Sequence, residues 1–372
     1  VLASNDVLNR YSLMASLSVN RNLERDLYLG IDYRDRIPVI DLLGYRPEVG
    51  VELYSISRQT TFDIPFGIDS TFVPVRYDYK INSELVYNLF EADFIIRNKI
   101  FTENNKLELR FIFSEYTSEL GSFIIPESNN TLYPATKDKY FVGRNIQAKI
   151  SHDGIIPTVD SDINPIGRKV EFQYNYEFNR FNNDSKYEVV DGILKPLYND
   201  FNFHRLELNW KEFLPVAKDQ TFNLSVRAGA ILGSTVPDFF DYYLGGLVGM
   251  KSFPFYSLSG NRVLWLNASY RFPLWKKIDA VLGHIYIDNI YMSVYGDIGN
   301  AWSGKFPAVG DFKKGVGAEI RIKMNSFYIF PTSLFFNAAY SFDSYEKIVR
   351  GESFSYGKRF EFYGGILFDF SF

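Results

Sequence analysis

The chain has 372 residues, with 44 acidic and 40 basic side chains, a formal net charge of −4 and no cysteine. The mild acidity argues against nucleic acid as a partner, since such proteins carry a basic footprint. The lack of cysteine excludes disulfides, thiolate metal sites and cysteine nucleophiles.

Mean hydropathy is −0.14, and no apolar run approaches the ~18 residues of a membrane helix. Yet 35 Phe, 27 Tyr and 4 Trp make up 18% of the residues. In chain order, period-2 alternation recurs from end to end. "YSLMASLSV" sets Tyr11, Leu13, Ala15, Leu17 and Val19 against Ser12, Ser16 and Ser18. "LYLGIDY" sets Leu27, Leu29, Ile31 and Tyr33 against Tyr28, Gly30 and Asp32. "LELRFIF" and "VEFQYNYEF" repeat the pattern, with Glu108, Arg110, Glu171, Gln173 and Glu177 on their polar sides. "TFNLSVRAGA" and "VGAEIRIKM" place Arg227 and the row Glu319, Arg321, Lys323 opposite apolar stripes. The last strand carries Phe360, Phe362, Ile366, Phe368, Phe370 and Phe372 on one parity.

A soluble sandwich keeps its inner face dry, so charge in the middle of nearly every strand fits it poorly. A transmembrane antiparallel β-barrel turns each apolar face to lipid and each polar face to a wet lumen. The expected fold is therefore all-β, one barrel of about 16 strands over residues 1–372, with a first strand near Leu8. Pairing of the first strand with the last would remove the edge. Stretches 115–139, 155–164, 179–200 and 238–261 read as long outer loops, and "VNRNLERD" as a periplasmic turn. Val1 follows no charged or long apolar leader, which reads as a processed or trimmed end.

One loop differs from a solvated surface loop: "DYYLGGLVGMKSFPFYSLSGN", residues 241–261, rich in glycine and aromatics. It is followed by "YRFPL" at 270–274 and "VYGDIGNAW" at 294–302. This order resembles the bacterial surface-antigen superfamily, which holds BamA-like assembly barrels and two-partner secretion transporters. Gly245 and Gly246 match its first element, and Met250-Lys251-Ser252-Phe253 sits where Met-Arg-Gly-Phe is usual. Gly260, Arg271-Phe272-Pro273-Leu274 and Asp297-Ile298-Gly299 match the elements that follow. The terminal Phe368, Phe370 and Phe372 resemble the strand signal read by the assembly machinery. The resemblance implies that the loop folds into the lumen, with Arg271, Asp297 and Gly299 on the inner wall and Lys251 directed to Asp297. Lys251 keeps the charge of the usual Arg but loses its planar fork. Ser252 replaces a glycine, which makes a positive φ harder.

No catalytic constellation is expected. His152, His204 and His284 share no ligand spacing, and the inward carboxylates read as lumen electrostatics. No cofactor or metal is implied. The resemblance implies a Gram-negative outer membrane, with lipid around the barrel and a polypeptide substrate or partner subunit. Its implied role is insertion, secretion or display of polypeptides. The family's usual periplasmic docking domains are expected to be absent or removed. A passive pore, or an anchor for a separate periplasmic or surface domain, is the other reading.

Overall fold

The structure, a computed structural model, describes residues 2–22, 24–37, 46–68, 77–125, 131–133, 135–158, 160–161, 163–190, 193–327, 330–349 and 352–368. In chain order the strands begin with β1 (Leu2–Asn5), β2 (Tyr11–Val19), β3 (Arg25–Tyr33), β4 (Glu48–Ile68), β5 (Tyr77–Lys99) and β6 (Asn105–Leu120). The hairpin of β7 (Phe123–Ile125) and β8 (Thr131–Tyr133) precedes β9 (Thr136–Asp153) and β10 (Gly167–Phe181). A second hairpin, β11 (Tyr187–Val190) and β12 (Ile193–Pro196), leads to β13 (Asn199–Ala217) and β14 (Gln220–Gly233). A third, β15 (Tyr242–Leu244) and β16 (Leu258–Gly260), lies in the glycine-rich loop. Then come β17 (Arg262–Trp275), β18 (Ala280–Leu282), β19 (Ile285–Trp302), β20 (Lys313–Ser326) and β21 (Phe330–Ser341). The hairpin β22 (Ser344–Val349) and β23 (Glu352–Gly357) separates β21 from β24 (Phe360–Phe368).

One sheet of 16 strands runs from β1 to β24 in sequence order, with the four hairpins set aside and β18 lying on β19. It is antiparallel, as the alternation requires. The first strand starts at Leu2 rather than near Leu8. Two compact units divide the chain: residues 1–100, 106–148 and 175–204, and residues 101–105, 149–174 and 205–372.

In the first unit, β3 to β6 carry charge on one face and grease on the other. Ile31, Val51, Phe94 and Phe111 are exposed. On the opposite parity the Arg97 guanidinium bonds Asp32, Glu52 and Glu108 at 3.0 Å each and Glu48 at 3.2 Å. Arg110 bonds Asp93 at 2.5 Å, Glu52 at 3.0 Å and Glu108 at 3.2 Å. These side chains are mostly buried, so each charge depends on its partners. The turn at 20–24 meets the loop after β6 at one end of this unit. Gln59 N–H donates to Glu24 at 2.9 Å, the Gln59 side chain to Glu84, and Gly121 N–H to the Glu84 carbonyl at 2.8 Å. The turn therefore shares its end with the 115–139 stretch, against the expectation that the two lie on opposite sides. Strand parity decides sidedness; loop length does not.

In the second unit, β14, β17, β19, β20, β21 and β24 pair in sequence. Phe222, Leu224, Leu266, Val294, Val316 and Ile320 are exposed on the apolar face, and Phe360 and Phe362 retain 61% and 73% of their surface. Lipid is the cover such a face requires. Phe368 stands opposite Thr332, while Phe370 and Phe372 lie outside the described residues. The 154–166 segment joins β9 to β10. It packs on the start of β14 and the far end of β17: Thr221 donates to Asn164 at 2.6 Å, and Arg271 to the Ile163 carbonyl at 2.5 Å. The glycine-rich loop leaves the end of β14 and enters the start of β17. The two long segments thus lie at opposite ends of this unit, which corrects the reading of 155–164 as an outer loop.

Candidate functional site: the folded-in loop

The loop begins with a single 3-10 turn at Asp238–Phe240 and narrows through the β15–β16 hairpin. Its base is tied to the wall. The Tyr242 hydroxyl donates to the Leu206 carbonyl at 2.7 Å, and Arg205 donates to the Phe240 carbonyl at 2.7 Å. Arg227 reaches the Tyr243 carbonyl at 3.4 Å while bonded to Glu207 at 2.9 Å.

The bend at the hairpin depends on two glycines. Gly245 and Gly246 have φ of +128° and +79°. A Cβ on Gly245 would collide with the Pro254 carbonyl, and one on Gly246 with the Phe255 ring. Residues 246–253 then close a compact tip, in which Gly246 N–H donates to the Phe253 carbonyl at 2.8 Å and Phe253 N–H to the Met250 carbonyl at 3.1 Å. Met250 and Phe253 are 0% exposed and Ser252 1%.

Inward-facing groups of β19, β20 and β24 receive this tip. Gly299 leaves room for Met250: a Cβ there would stand 3.1 Å from the Met250 sulfur and 3.0 Å from Leu244. Gly315 leaves room for Ser252, whose Cβ would lie 2.6 Å from an added methyl. Gly260 lies flat on the Trp302 backbone, where a side chain would collide. The Tyr363 hydroxyl donates to the Phe253 carbonyl at 3.4 Å. The Lys251 ammonium meets Glu319 Oε2 at 2.5 Å and sits 5.2 Å from the centre of the Tyr295 ring.

The Omp85 superfamily domain matches residues 12–365. The chain belongs to the Omp85 superfamily. Among solved structures, this Omp85 chain is similar to CdiB from Escherichia coli, with a TM-score of 0.51 and 12% identity over 98% of this chain and 58% of that one. BamA from Haemophilus ducreyi lacking POTRA domains 1-3 gives 0.49 and 11% over 95% and 75%. CdiB from Acinetobacter baumannii gives 0.47 and 11% over 98% and 55%. At such identities the likeness to Escherichia coli CdiB is one of fold. The Omp85 chain spans a little over half the length of each CdiB chain. No curated protein matches it.

Three expectations about the Omp85 site change. Lys251 bonds Glu319, not Asp297. Asp297 Oδ1 instead accepts from Trp265 Nε1 at 3.0 Å and Asn267 Nδ2 at 2.8 Å. Lysine offers a point charge on a long stem, so it settles on the carboxylate one strand over. Arg271 does not reach the loop, because its guanidinium is engaged by the Ile163 carbonyl at the other end of the unit. Ser252 causes no backbone strain, since the positive φ values near the tip fall on Gly245, Gly246 and Tyr256.

Sequence reasoning treated Glu319 as general lumen charge and overlooked it as the loop's partner; the mid-strand row Glu319, Arg321, Lys323 was the available signal. Among the described residues no group of three or more His, Asp or Glu is placed to hold a metal. His152 contacts Asn105 at 2.7 Å, and His284 stacks on Phe327 at the β19 end.

Proposed function

We propose that this Omp85 outer-membrane barrel handles polypeptide, inserting, secreting or displaying it at the surface of a Gram-negative-type cell. The observation that carries the reading is the loop tip. It is buried on β19, β20 and β24, yet among the described residues its one ion pair with the wall is Lys251–Glu319. A plug with so few charged ties can undock without unfolding the strands around it. Residues Gly245, Gly246, Met250, Lys251, Ser252, Phe253 and Gly260 form the moving part, and Gly299 and Glu319 its seat.

The test is reconstitution of the full chain in liposomes with an unfolded outer-membrane barrel as client. Faster conversion of the client to its heat-modifiable form supports insertion; a rate equal to empty liposomes overturns it. The pore reading is separated by conductance. A steady open pore favours passive passage, whereas small flickering currents that grow on deletion of residues 245–257 favour the plugged barrel.

A further inference from the structure

The second unit encloses a polar cavity of about 850 Å³ beneath the loop tip. Six of its lining residues are cations and four are carboxylates. Three of the cations already have acids: Arg227 is held by Glu207, and Lys251 and Arg321 share Glu319 at 2.5 and 2.6 Å. Asp297 is bonded by neutral donors, Trp265 and Asn267. Of the other three cations, Arg205 is engaged by the Phe240 carbonyl and the Tyr242 ring, and Lys211 and Arg271 remain. Among the described residues neither lies within ion-pair distance of a carboxylate: Glu319 acts on Arg271 and Glu171 on Lys211 only at longer range, and the Arg271 guanidinium bonds the Ile163 carbonyl. Six cations against four carboxylates leave the lining net positive, and a walled cavity focuses such a field and attracts anions.

The neighbouring wall shows which anion suits this chemistry. The Asp160 carboxylate, from the segment opposite the loop, accepts from the Tyr291 hydroxyl at 3.0 Å and from Asn289 at 3.2 Å. Lys323 stands 3.2 Å from it and Lys276 3.9 Å. Lys323 follows Arg321 on the same inward parity of β20. One step further along the wall, cations recur with Asn and Ser donors beside them, and Glu319 is already taken by Lys251 and Arg321.

We infer that Lys211 and Arg271 form a receptor for the acidic side chains of a polypeptide entering the cavity. The inference rests on the polypeptide-handling reading and gives it a substrate preference. Arginine's planar fork matches a carboxylate in two bonds, and the lysine adds a flexible third contact.

The test uses the full chain in nanodiscs, both ends open, and fluorescence anisotropy of a short fluorescein-labelled oligoglutamate. The same dye on oligoglutamine is the control. Oligoglutamate binds, oligoglutamine does not, and Lys211→Gln weakens binding about tenfold, as expected for one charge-assisted contact. Arg271→Gln weakens it at least as much, but that variant also frees the Ile163 carbonyl. Lys211→Gln is therefore decisive, with heat-modifiable migration showing that it folds. Equal binding by Lys211→Gln and the parent chain overturns the inference, as does equal binding of the two peptides. Displacement by equimolar inorganic phosphate would assign the site to a small anion and overturn it too. A chain that folds its client but ignores oligoglutamate loses this receptor and keeps the proposed function. A chain that binds oligoglutamate but folds no client keeps the receptor and loses that function.

Discussion

Replacing Glu319 with Gln tests the loop's hold on the wall. The Lys251–Glu319 contact is 2.5 Å, and the two side chains are 22% and 5% exposed. A hydrogen bond to a charged group contributes about 1.5–3 kcal/mol. Arg321 stays on the carboxylate at 2.6 Å, so Lys251→Met does not leave Glu319 bare, and a value of about 2 kcal/mol is appropriate. At 1.4 kcal/mol per tenfold, the undocked fraction should rise about thirtyfold. The chain has no cysteine, so Ser252→Cys, buried at the tip, supplies a single label site. Its maleimide labelling rate reports transient undocking when reclosing is fast. Glu319→Gln and Lys251→Met should each raise that rate about thirtyfold, and the double variant no further. Asp297→Asn acts mainly through Trp265 and Asn267 and on Lys251 only at longer range, so it should couple to Lys251→Met more weakly than Glu319→Gln does. Additive effects of Glu319→Gln and Lys251→Met would refute the pairing. So would a coupling of Lys251→Met to Asp297→Asn as large as its coupling to Glu319→Gln, which would restore Asp297 as the partner.

Gly315→Ala places a methyl against Ser252 and should loosen the tip by about 1–3 kcal/mol; adding Ser252→Gly should recover most of the loss. With Ser252 altered, protease cleavage of the loop is the readout for that pair. Gly299→Val should displace Met250 and raise Ser252→Cys labelling, and unchanged labelling would mean that the tip does not rest on β19. In the first unit, Arg97→Ala takes one partner from four carboxylates, of which Glu52 and Glu108 keep Arg110 and Asp32 and Glu48 keep Arg34, and should cost about 3 kcal/mol, lowering the temperature at which heat-modifiable migration is lost. Arg10→Ala, at an exposed pair with Asp6 and Asp35, should shift that temperature little.

Much of this fold was legible because a barrel strand writes both its faces into the sequence. The Phe360–Phe362 stripe and the Glu319–Arg321–Lys323 row could be assigned to opposite faces by counting alone. Gly245 and Gly246 could be marked as a turn because only glycine tolerates those angles cheaply. Register was not legible. Whether Lys251 meets Asp297 or Glu319 depends on how β19 and β20 slide past one another, and in the structure Asp297 pairs with Gly315 and Ser293 with Glu319. The sidedness of 154–166 was missed for a related reason: it follows from the number of strands between that segment and the glycine-rich loop. Arg271 looked like a loop partner from its motif, yet its place near the end of β17 puts it beside Ile163.

The tip also bears on the order of assembly. Lys251 meets an acid 68 residues further on, and the Phe253 carbonyl meets a hydroxyl 110 residues away. Contacts of such long sequence separation form late, after the chain has met the entropy of closing long loops. β19, β20 and β24 must already lie in register before the tip finds its seat. The newly folded barrel therefore passes through a stage with an empty lumen, and seating of the loop reports that its C-terminal strands have been assembled correctly.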